Sequence, residues 1–212
     1  MKTVSLLCAV YLMTNAVWGQ SLLPNGNFEQ ADPANPQKPA HWDLPDGLGV
    51  QWSASPDGSG KSIRMDTSIP EDVFVANCTK VGVLQWVFPN PKKNTIAETY
   101  GLSLYSEAMP VVPGKAYRVS FDYWSEKGTA AKVWFRGYGD MAGKKKRLYE
   151  GVIPCTSKGQ WQRFTGLFHP TKHRPGVVEF KVMLFAFHPP GVCWFDNVTV
   201  EAVEEETKPN TE

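Results

Sequence analysis

YRVSFDYW, residues 117–124, is the stretch of this sequence with the clearest alternation of side chains. Side chains that alternate with a period of two point to opposite faces of a β-strand, so the stretch predicts a strand with one buried face. The predicted inward residues are Tyr117, Val119, Phe121 and Tyr123. The predicted outward residues are Arg118, Ser120, Asp122 and Trp124.

Similar short runs lie on either side of this strand. Residues 132–138 place Val133 and Phe135 on one face, and the opposite face receives Lys132, Trp134, Arg136 and Tyr138. Further strands are predicted at 161–168, 177–187 and 192–200, with weaker ones at 27–29, 50–54, 61–65, 82–88 and 101–105. Gly- and Pro-containing turns separate them, and no helix is predicted. The fold class is therefore all-β, a two-sheet antiparallel β-sandwich or jelly roll.

Composition limits the class of protein further. The chain has 212 residues, of which 42% are hydrophobic, a profile typical of one globular domain. Its 22 Lys and Arg balance 21 Asp and Glu, for a formal charge of +1. Since no overall positive field is available, nucleic acid is not an expected partner. No stretch is long and apolar enough to predict a membrane span.

The two ends of the chain differ from the middle. Residues 1–19 have Lys2, an apolar run and the small residue Gly19, which predicts a cleaved secretory signal peptide and a mature chain that starts at Gln20 or Ser21. Residues 20–201 form the predicted domain, and residues 202–212, a segment rich in Glu, form a predicted disordered tail. The cysteines of the mature chain are Cys78, Cys155 and Cys193, which permit at most one disulfide.

Three motifs, in order, span nearly all of the predicted domain. The opening is LPNGNFE at 23–29 with PAHW at 39–42, the middle is MPVVPGKAYRVSF at 109–121, and the end is GVCWFDNVTV at 191–200. Together they resemble carbohydrate-binding modules of families 4, 9 and 22, which have a galactose-binding-like jelly roll. Asn197 departs from the closing motif, which has a second Asp there, and residues 65–101 have no clear counterpart in those modules.

The resemblance implies a structural calcium ion near the two ends of the domain. Modules of this group often bind calcium with an acidic residue of the opening motif and the Asp of the closing motif, which correspond to Glu29 and Asp196. Carboxylate and backbone carbonyl oxygens are the ligands that this hard cation prefers. The alternative is that each carboxylate accepts backbone N–H bonds in a turn.

The outward residues of the two clearest strands form a candidate sugar site. A sugar ring presents an apolar C–H face and a rim of hydroxyls, so its receptor combines flat aromatic rings with charged or amide groups. On the assumption that the two strands are adjacent, the expected site residues are Trp124, Trp134, Tyr138, Arg118, Arg136 and Asp122. The alternative is that a loop covers these rings.

Two further features have an ordinary structural interpretation. Met183, Phe185 and Phe187 are apolar where alternation predicts polar residues, and they either lie under a loop or extend the sugar-binding face. The basic run at 144–147 lies beside a predicted hairpin tip and is expected to be a solvated turn. Contact with an anionic polysaccharide is its alternative role.

No catalytic motif stands out. The sequence lacks a Gly-x-Ser-x-Gly elbow and a His-Glu-x-x-His zinc motif, and Pro170 separates His169 from His173. The expected function is therefore a secreted, non-catalytic carbohydrate-binding protein whose partner is a polysaccharide or oligosaccharide. One alternative is a small jelly-roll glycoside hydrolase or polysaccharide lyase, which requires two carboxylates, or a Tyr/His pair with an Arg, in one cleft. Another is a structural or adhesive cell-surface protein without a sugar site.

Overall fold

The computed structural model describes residues 21–83 and 92–204, and β-strands are the main secondary structure in these ranges. Within these ranges the chain has one α-helix, α1 (Glu71–Val81), and a 3-10 helix at Ile96–Glu98. The strands are β1 (Val50–Ala54), β2 (Lys61–Asp66), β3 (Leu102–Tyr105), β4 (Met109–Pro110), β5 (Ala116–Ser125), β6 (Ala131–Met141), β7 (Lys144–Cys155), β8 (Gln162–Phe168), β9 (Glu179–Ala186) and β10 (Val192–Val203).

The strands form two antiparallel sheets, as the sequence predicts. The first sheet has the order β1-β2-β10-β5-β8, and the second has the order β3-β9-β6-β7, with β4 paired to β9. β5 and β10 lie in the middle of the first sheet, while β9 and β6 lie in the middle of the second. The fold class predicted from the sequence, a jelly-roll β-sandwich, is confirmed.

The core lies between the inner faces of the two sheets. The four predicted inward residues of β5, Tyr117, Val119, Phe121 and Tyr123, have no exposed surface. The ring of Tyr117 lies 5.6 Å from that of Phe135 on β6, so the two strands face each other across the core. The alternation of side chains in β5 and β6 therefore predicts the inward residues correctly. One predicted outward residue, Ser120, is also buried, with its hydroxyl 2.9 Å from that of Thr165 on β8.

Helix α1 corrects the prediction that the chain has no helix. Pro70 occupies the N-cap position, Glu71 and Asp72 lie in the first turn and Lys80 lies in the last turn. These residues favour a helix, because acidic side chains stabilise its N-terminus and basic ones its C-terminus. Gly82 ends it with a left-handed backbone (φ 70°), so it does not begin the strand predicted at 82–88. The rest of that strand, from residue 84, lies outside the described residues.

Three other local predictions differ from the structure. Residues 27–29 do not form a strand: Asn27 lies in a turn that the Phe28 N–H closes on the Asn25 carbonyl, and Phe28 has φ 57°. β7 was not predicted, and its basic residues 144–147, which were expected to be a solvated turn, are exposed strand residues that follow the turn at 142–143. β10 extends past residue 201, since Ala202 pairs with Tyr117 and Val203 with Ala116 of β5. The predicted signal peptide and residues 205–212 of the predicted tail lie outside the described residues.

The described part of the chain has no helix long and apolar enough to cross a membrane.

The three cysteines of the described residues are buried free thiols, Cys78, Cys155 and Cys193. Burial raises the pKa of Cys78 and of Cys193 to about 12, so both thiols are protonated at neutral pH.

Candidate functional site

The predicted sugar-binding residues lie on two opposite faces of the sandwich. β5 pairs with β10 and β8 in the first sheet, whereas β6 pairs with β7 and β9 in the second. The prediction that these two strands are adjacent is therefore wrong. The alternation of side chains shows which face of its strand a residue lies on, but it does not show which other strand pairs with that strand. The first sheet carries Arg118, Asp122 and Trp124, and the second carries Trp134, Arg136 and Tyr138.

We call the outer side of the second sheet the Trp134 face. Across its middle, Tyr105 of β3 pairs with Met183 of β9, and Met183 pairs with Trp134 of β6. Met183 is buried between them, while Tyr105 and Trp134 are half-buried. One strand, β9, lies between the strands that carry the two rings, so the rings are two interstrand spacings apart, or about 10 Å. Tyr138 follows Trp134 on the same side of β6, about 13 Å further along the strand.

Cations lie beside the rings of the Trp134 face. The Arg136 guanidinium lies 5.3 Å from the Trp134 ring and 5.7 Å from the Tyr105 ring, and its Nη1 donates a hydrogen bond to the Tyr105 hydroxyl. Lys132 lies 4.9 Å from the ring of Phe187, which stacks on Phe185 at 5.6 Å. These contacts hold the rings in place.

A cleft of about 430 Å³ opens at the Tyr138 end of this face. Its walls contain two phenols and one carboxylate, Tyr105, Tyr138 and Asp43, and three cations, Lys145, Arg147 and Lys181. Burial raises the pKa of Tyr138, with a smaller contribution from neighbouring Tyr105, so its phenol is neutral at physiological pH. The cleft therefore offers hydroxyl donors and positive charge next to the aromatic rings.

A β-bulge decides which residues of β7 face the cleft. Gly137 pairs with Tyr149, but the next residue, Tyr138, pairs with Arg147, so Leu148 is the extra residue. Leu148 packs against the core. Regular pairing would have placed Leu148 and Lys146 on the Trp134 face. With the bulge, Arg147 and Lys145 face the cleft instead.

We call the outer side of the first sheet the Trp124 face. Trp124 packs edge-on against Trp194 with their rings 4.8 Å apart, and Trp194 is only 8% exposed. The other two predicted residues are paired within the sheet. Arg118 contacts Glu201 at 3.3 Å, and Asp122 accepts a hydrogen bond from Arg163 at 3.0 Å.

The two predicted calcium ligands lie near each other beside the Trp124 face. Asp196 is 7% exposed, and burial, followed by repulsion from Asp122, Glu29 and Asp57, raises its pKa to about 7. Glu29 accepts a hydrogen bond from the backbone N–H of Lys61 at 2.9 Å. The carboxylates have the donor chemistry that calcium requires. Among the described residues, however, no three His, Cys, Asp or Glu side chains form a metal-binding group, so the remaining ligands would be carbonyl oxygens or water.

The sequence prediction missed several residues of the Trp134 face. Tyr105 and Lys181 were not candidates, and Lys145 was considered only within the basic run 144–147, with anionic polysaccharide as the alternative role of that run. Phe185 and Phe187 had two interpretations, packing under a loop or extending the binding face. The structure places both rings at the outer surface, half-buried and beside Lys132. Tyr105 lies on a strand of four residues, LSLY, whose alternation gave a signal for an outward ring but none for its neighbours.

Comparison with known proteins supports the fold. No family model matches the sequence, and neither does any curated protein. A protein of Bacteroides thetaiotaomicron proposed to bind sugars has a TM-score of 0.50 at 12% identity, covering 87% of this chain and 100% of that one. An arabinose-bound α-L-arabinofuranosidase has a TM-score of 0.51 at 15% identity, and the match covers 91% of this chain but 28% of the enzyme.

Carbohydrate-binding modules are also among the similar structures. A family 22 xylan-binding domain from Paenibacillus barcinonensis has a TM-score of 0.46 at 12% identity, covering 88% of this chain and 97% of that one. The two-sheet topology defines a jelly-roll β-sandwich, and the resemblance predicted from the sequence is confirmed at the level of fold.

Proposed function

We propose that the protein is a non-catalytic carbohydrate-binding protein and that it binds a polysaccharide on the Trp134 face. The observation that carries the proposal is the arrangement of Tyr105, Trp134 and Tyr138, three half-buried rings on one face beside the Arg136 guanidinium. Half-buried rings offer flat apolar area for sugar C–H groups, and the guanidinium and phenols offer hydrogen bonds to hydroxyls. The separation of the rings suits an extended chain of sugars better than a single ring.

The Trp124 face is the matched control for this proposal. In gels that contain a polysaccharide selected on a glycan array, the full mature chain should be retarded, and Trp134→Ala should weaken its affinity about three- to tenfold. Trp124→Ala should leave the affinity unchanged, because that ring packs on Trp194. Loss of retardation in Trp124→Ala but not in Trp134→Ala would contradict the proposed face.

A polysaccharide lyase is the second candidate, because the two phenols of the cleft lie near a guanidinium group. Tyr105, Tyr138 and Arg136 lie within interaction distance of one another. A lyase needs a base to remove a proton next to a carboxylate, and burial raises the pKa of Tyr138, which makes its phenolate a rare species at neutral pH. Binding is therefore the better supported function. Ultraviolet absorbance of an unsaturated uronic acid product would favour the lyase, and its absence at high protein concentration would favour binding.

A hydrolase has less support. A glycoside hydrolase of the usual kind needs two carboxylates on either side of the bond that it cleaves. Among the described residues that line the cleft, Asp43 is the single carboxylate.

We also propose that the protein is secreted and that Glu29 and Asp196 hold a calcium ion. When bound, the ion would supply positive charge to the buried Asp196 carboxyl and link the opening segment of the domain to β10.

The proposal of secretion rests on the sequence of residues 1–19. It is tested by N-terminal sequencing of exported protein, which should start at Gln20 or Ser21. An exported form that retains residues 1–19 would contradict it.

A further inference from the structure

We infer that the ligand of the Trp134 face is an anionic polysaccharide, whose charged groups bind in the cleft beside Tyr138. This inference rests on the proposed function and specifies its substrate class. It starts from the walls of the cleft, where three cations, Lys145, Arg147 and Lys181, face one carboxylate, Asp43. The chain as a whole has a formal charge of only +1, so this excess is a local feature.

The ion pairs of the face leave part of this charge free. Glu150 contacts both Arg136 at 3.0 Å and Arg147 at 3.2 Å, through the same oxygen atom. One carboxylate therefore balances two guanidinium groups. Lys145 pairs with Glu179, and these two charges cancel.

Lys181 adds a further positive charge. It lies opposite Arg136 in the pairing of β9 with β6 and lines the cleft. Within the described ranges it has no carboxylate partner at ion-pair distance, although Asp43 is near enough to interact with it electrostatically. A carboxylate or sulfate on a sugar would receive charge-assisted hydrogen bonds from Lys181 and Arg147, which are stronger than those between neutral groups.

The geometry joins this charge to the aromatic rings. Tyr105 and Tyr138 line the same cleft as the cations, and Arg136 bridges Tyr105 and Trp134. A sugar unit that stacks on a ring would therefore place its neighbouring unit beside Lys181 or Arg147. A neutral polysaccharide uses the rings alone, whereas an anionic one uses both the rings and the cations.

The test compares charged polymers with uncharged counterparts of the same backbone. The full mature chain is titrated with polygalacturonate and its methyl ester, with alginate and its propylene glycol ester, and with dextran sulfate and dextran. At low salt the charged member of at least one pair should bind roughly tenfold more tightly than the neutral member, and the preference should shrink as NaCl is added. The first two pairs test a carboxylate and the third tests a sulfate.

The variants separate a specific site from general attraction. Lys181→Gln and Arg147→Gln should each lose roughly tenfold in affinity for the charged polymer and less than about twofold for the neutral one. Lys146→Gln is the matched control, because it removes the same charge from the same hairpin but lies on the other side of β7, opposite Gly139. Trp134→Ala should weaken binding of both members of a pair.

Each result bears on a different proposal. Equal binding of charged and neutral polymers by the wild type would overturn the anionic ligand and leave carbohydrate binding in place. An equal loss in Lys146→Gln and Lys181→Gln would also overturn it, since the attraction would then be unspecific. If the wild type binds no member of any pair and nothing on a glycan array, the proposed function fails, and the anionic ligand fails with it.

Discussion

The Trp124 face and the Trp134 face use the same kinds of residue in different ways. Each has a tryptophan with an arginine near its ring, Arg64 at 5.7 Å from Trp194 and Arg136 at 5.3 Å from Trp134. On the Trp124 face the indole rings pack on each other, and Trp194 is nearly buried. On the Trp134 face the Trp134 ring is half-buried, as the Trp124 ring is, but cations lie beside it, Arg136 at 5.3 Å and Lys132 at 5.8 Å. Whether a surface aromatic is available to a ligand therefore depends on its packing partner and not on its residue type.

Removing one tryptophan from each face should separate them most strongly. Trp194→Ala should lower the free energy of unfolding by about 3–5 kcal/mol, because it leaves a cavity next to Trp124. Trp134→Ala should lower it by less than about 1 kcal/mol, since a half-buried side chain has fewer contacts to lose. Denaturant unfolding of both variants measures the difference. Equal losses would show that Trp134 is a structural residue, which would contradict the proposed site.

Removal of calcium should affect the side of the molecule that carries Asp196. An ion that binds only the folded state stabilises it by about 2.7 kcal/mol at a concentration a hundredfold above its Kd. A chelator should therefore lower the melting temperature of calcium-loaded wild type, and it should have no effect on Glu29→Gln. Glycan affinity should not change in either case, because the Trp134 face lies on the other sheet. An unchanged melting temperature in the wild type would refute the calcium proposal.

The two arginines provide a matched pair of smaller changes. Arg136→Gln should weaken glycan affinity about tenfold, or about 1.4 kcal/mol, because the guanidinium contacts two rings and donates to the Tyr105 hydroxyl. Arg64→Gln should leave the affinity unchanged, since Arg64 lies on the Trp124 face and pairs with Asp66 at 3.1 Å. Isothermal titration calorimetry measures both. A similar loss in both variants would mean that the effect reflects overall charge.

The smallest expected change concerns one hydroxyl. Tyr105→Phe keeps the ring but removes the acceptor of the Arg136 hydrogen bond, so affinity should fall only about threefold. The same titration, with Tyr123→Phe as a core control, tests this. The Tyr123 hydroxyl donates to the backbone carbonyl of Thr129 inside the core, so its loss should lower stability and leave affinity unchanged. A tenfold or larger loss in Tyr105→Phe would show that the hydroxyl itself contacts the ligand.

The sequence predicts which face of a strand a residue lies on, but it does not predict which strands pair. The alternation in β5 and β6 identifies the buried and outward residues of each strand, because this property depends only on neighbouring residues in the chain. It does not identify the partner strands, since pairing joins residues that are far apart in sequence. The candidate site was therefore divided, with Trp124 on one face and Trp134 on the other. Tyr105 and Lys181 come together only through the pairing of β3, β9 and β6.

Irregular elements were the other source of error. β7 contains a bulge, Gly151 and Pro154, which interrupt the pattern that predicts a strand. In α1, the β-branched residues Val73, Val75 and Thr79 disfavour a helix on propensity alone. The capping residues around it, Pro70 and Gly82, were the stronger signal.

The bulge at Leu148 has a consequence for how the charge of this cleft can change in evolution. If Leu148 were accommodated by regular pairing, Leu148 and Lys146 would replace Arg147 and Lys145 beside Tyr138, without any substitution. The cleft would exchange a guanidinium for an apolar side chain. A one-residue shift in this hairpin is therefore a route by which proteins of this architecture can alter the charge of a cleft while they keep their amino-acid composition, at the cost of the packing of Leu148 against the core.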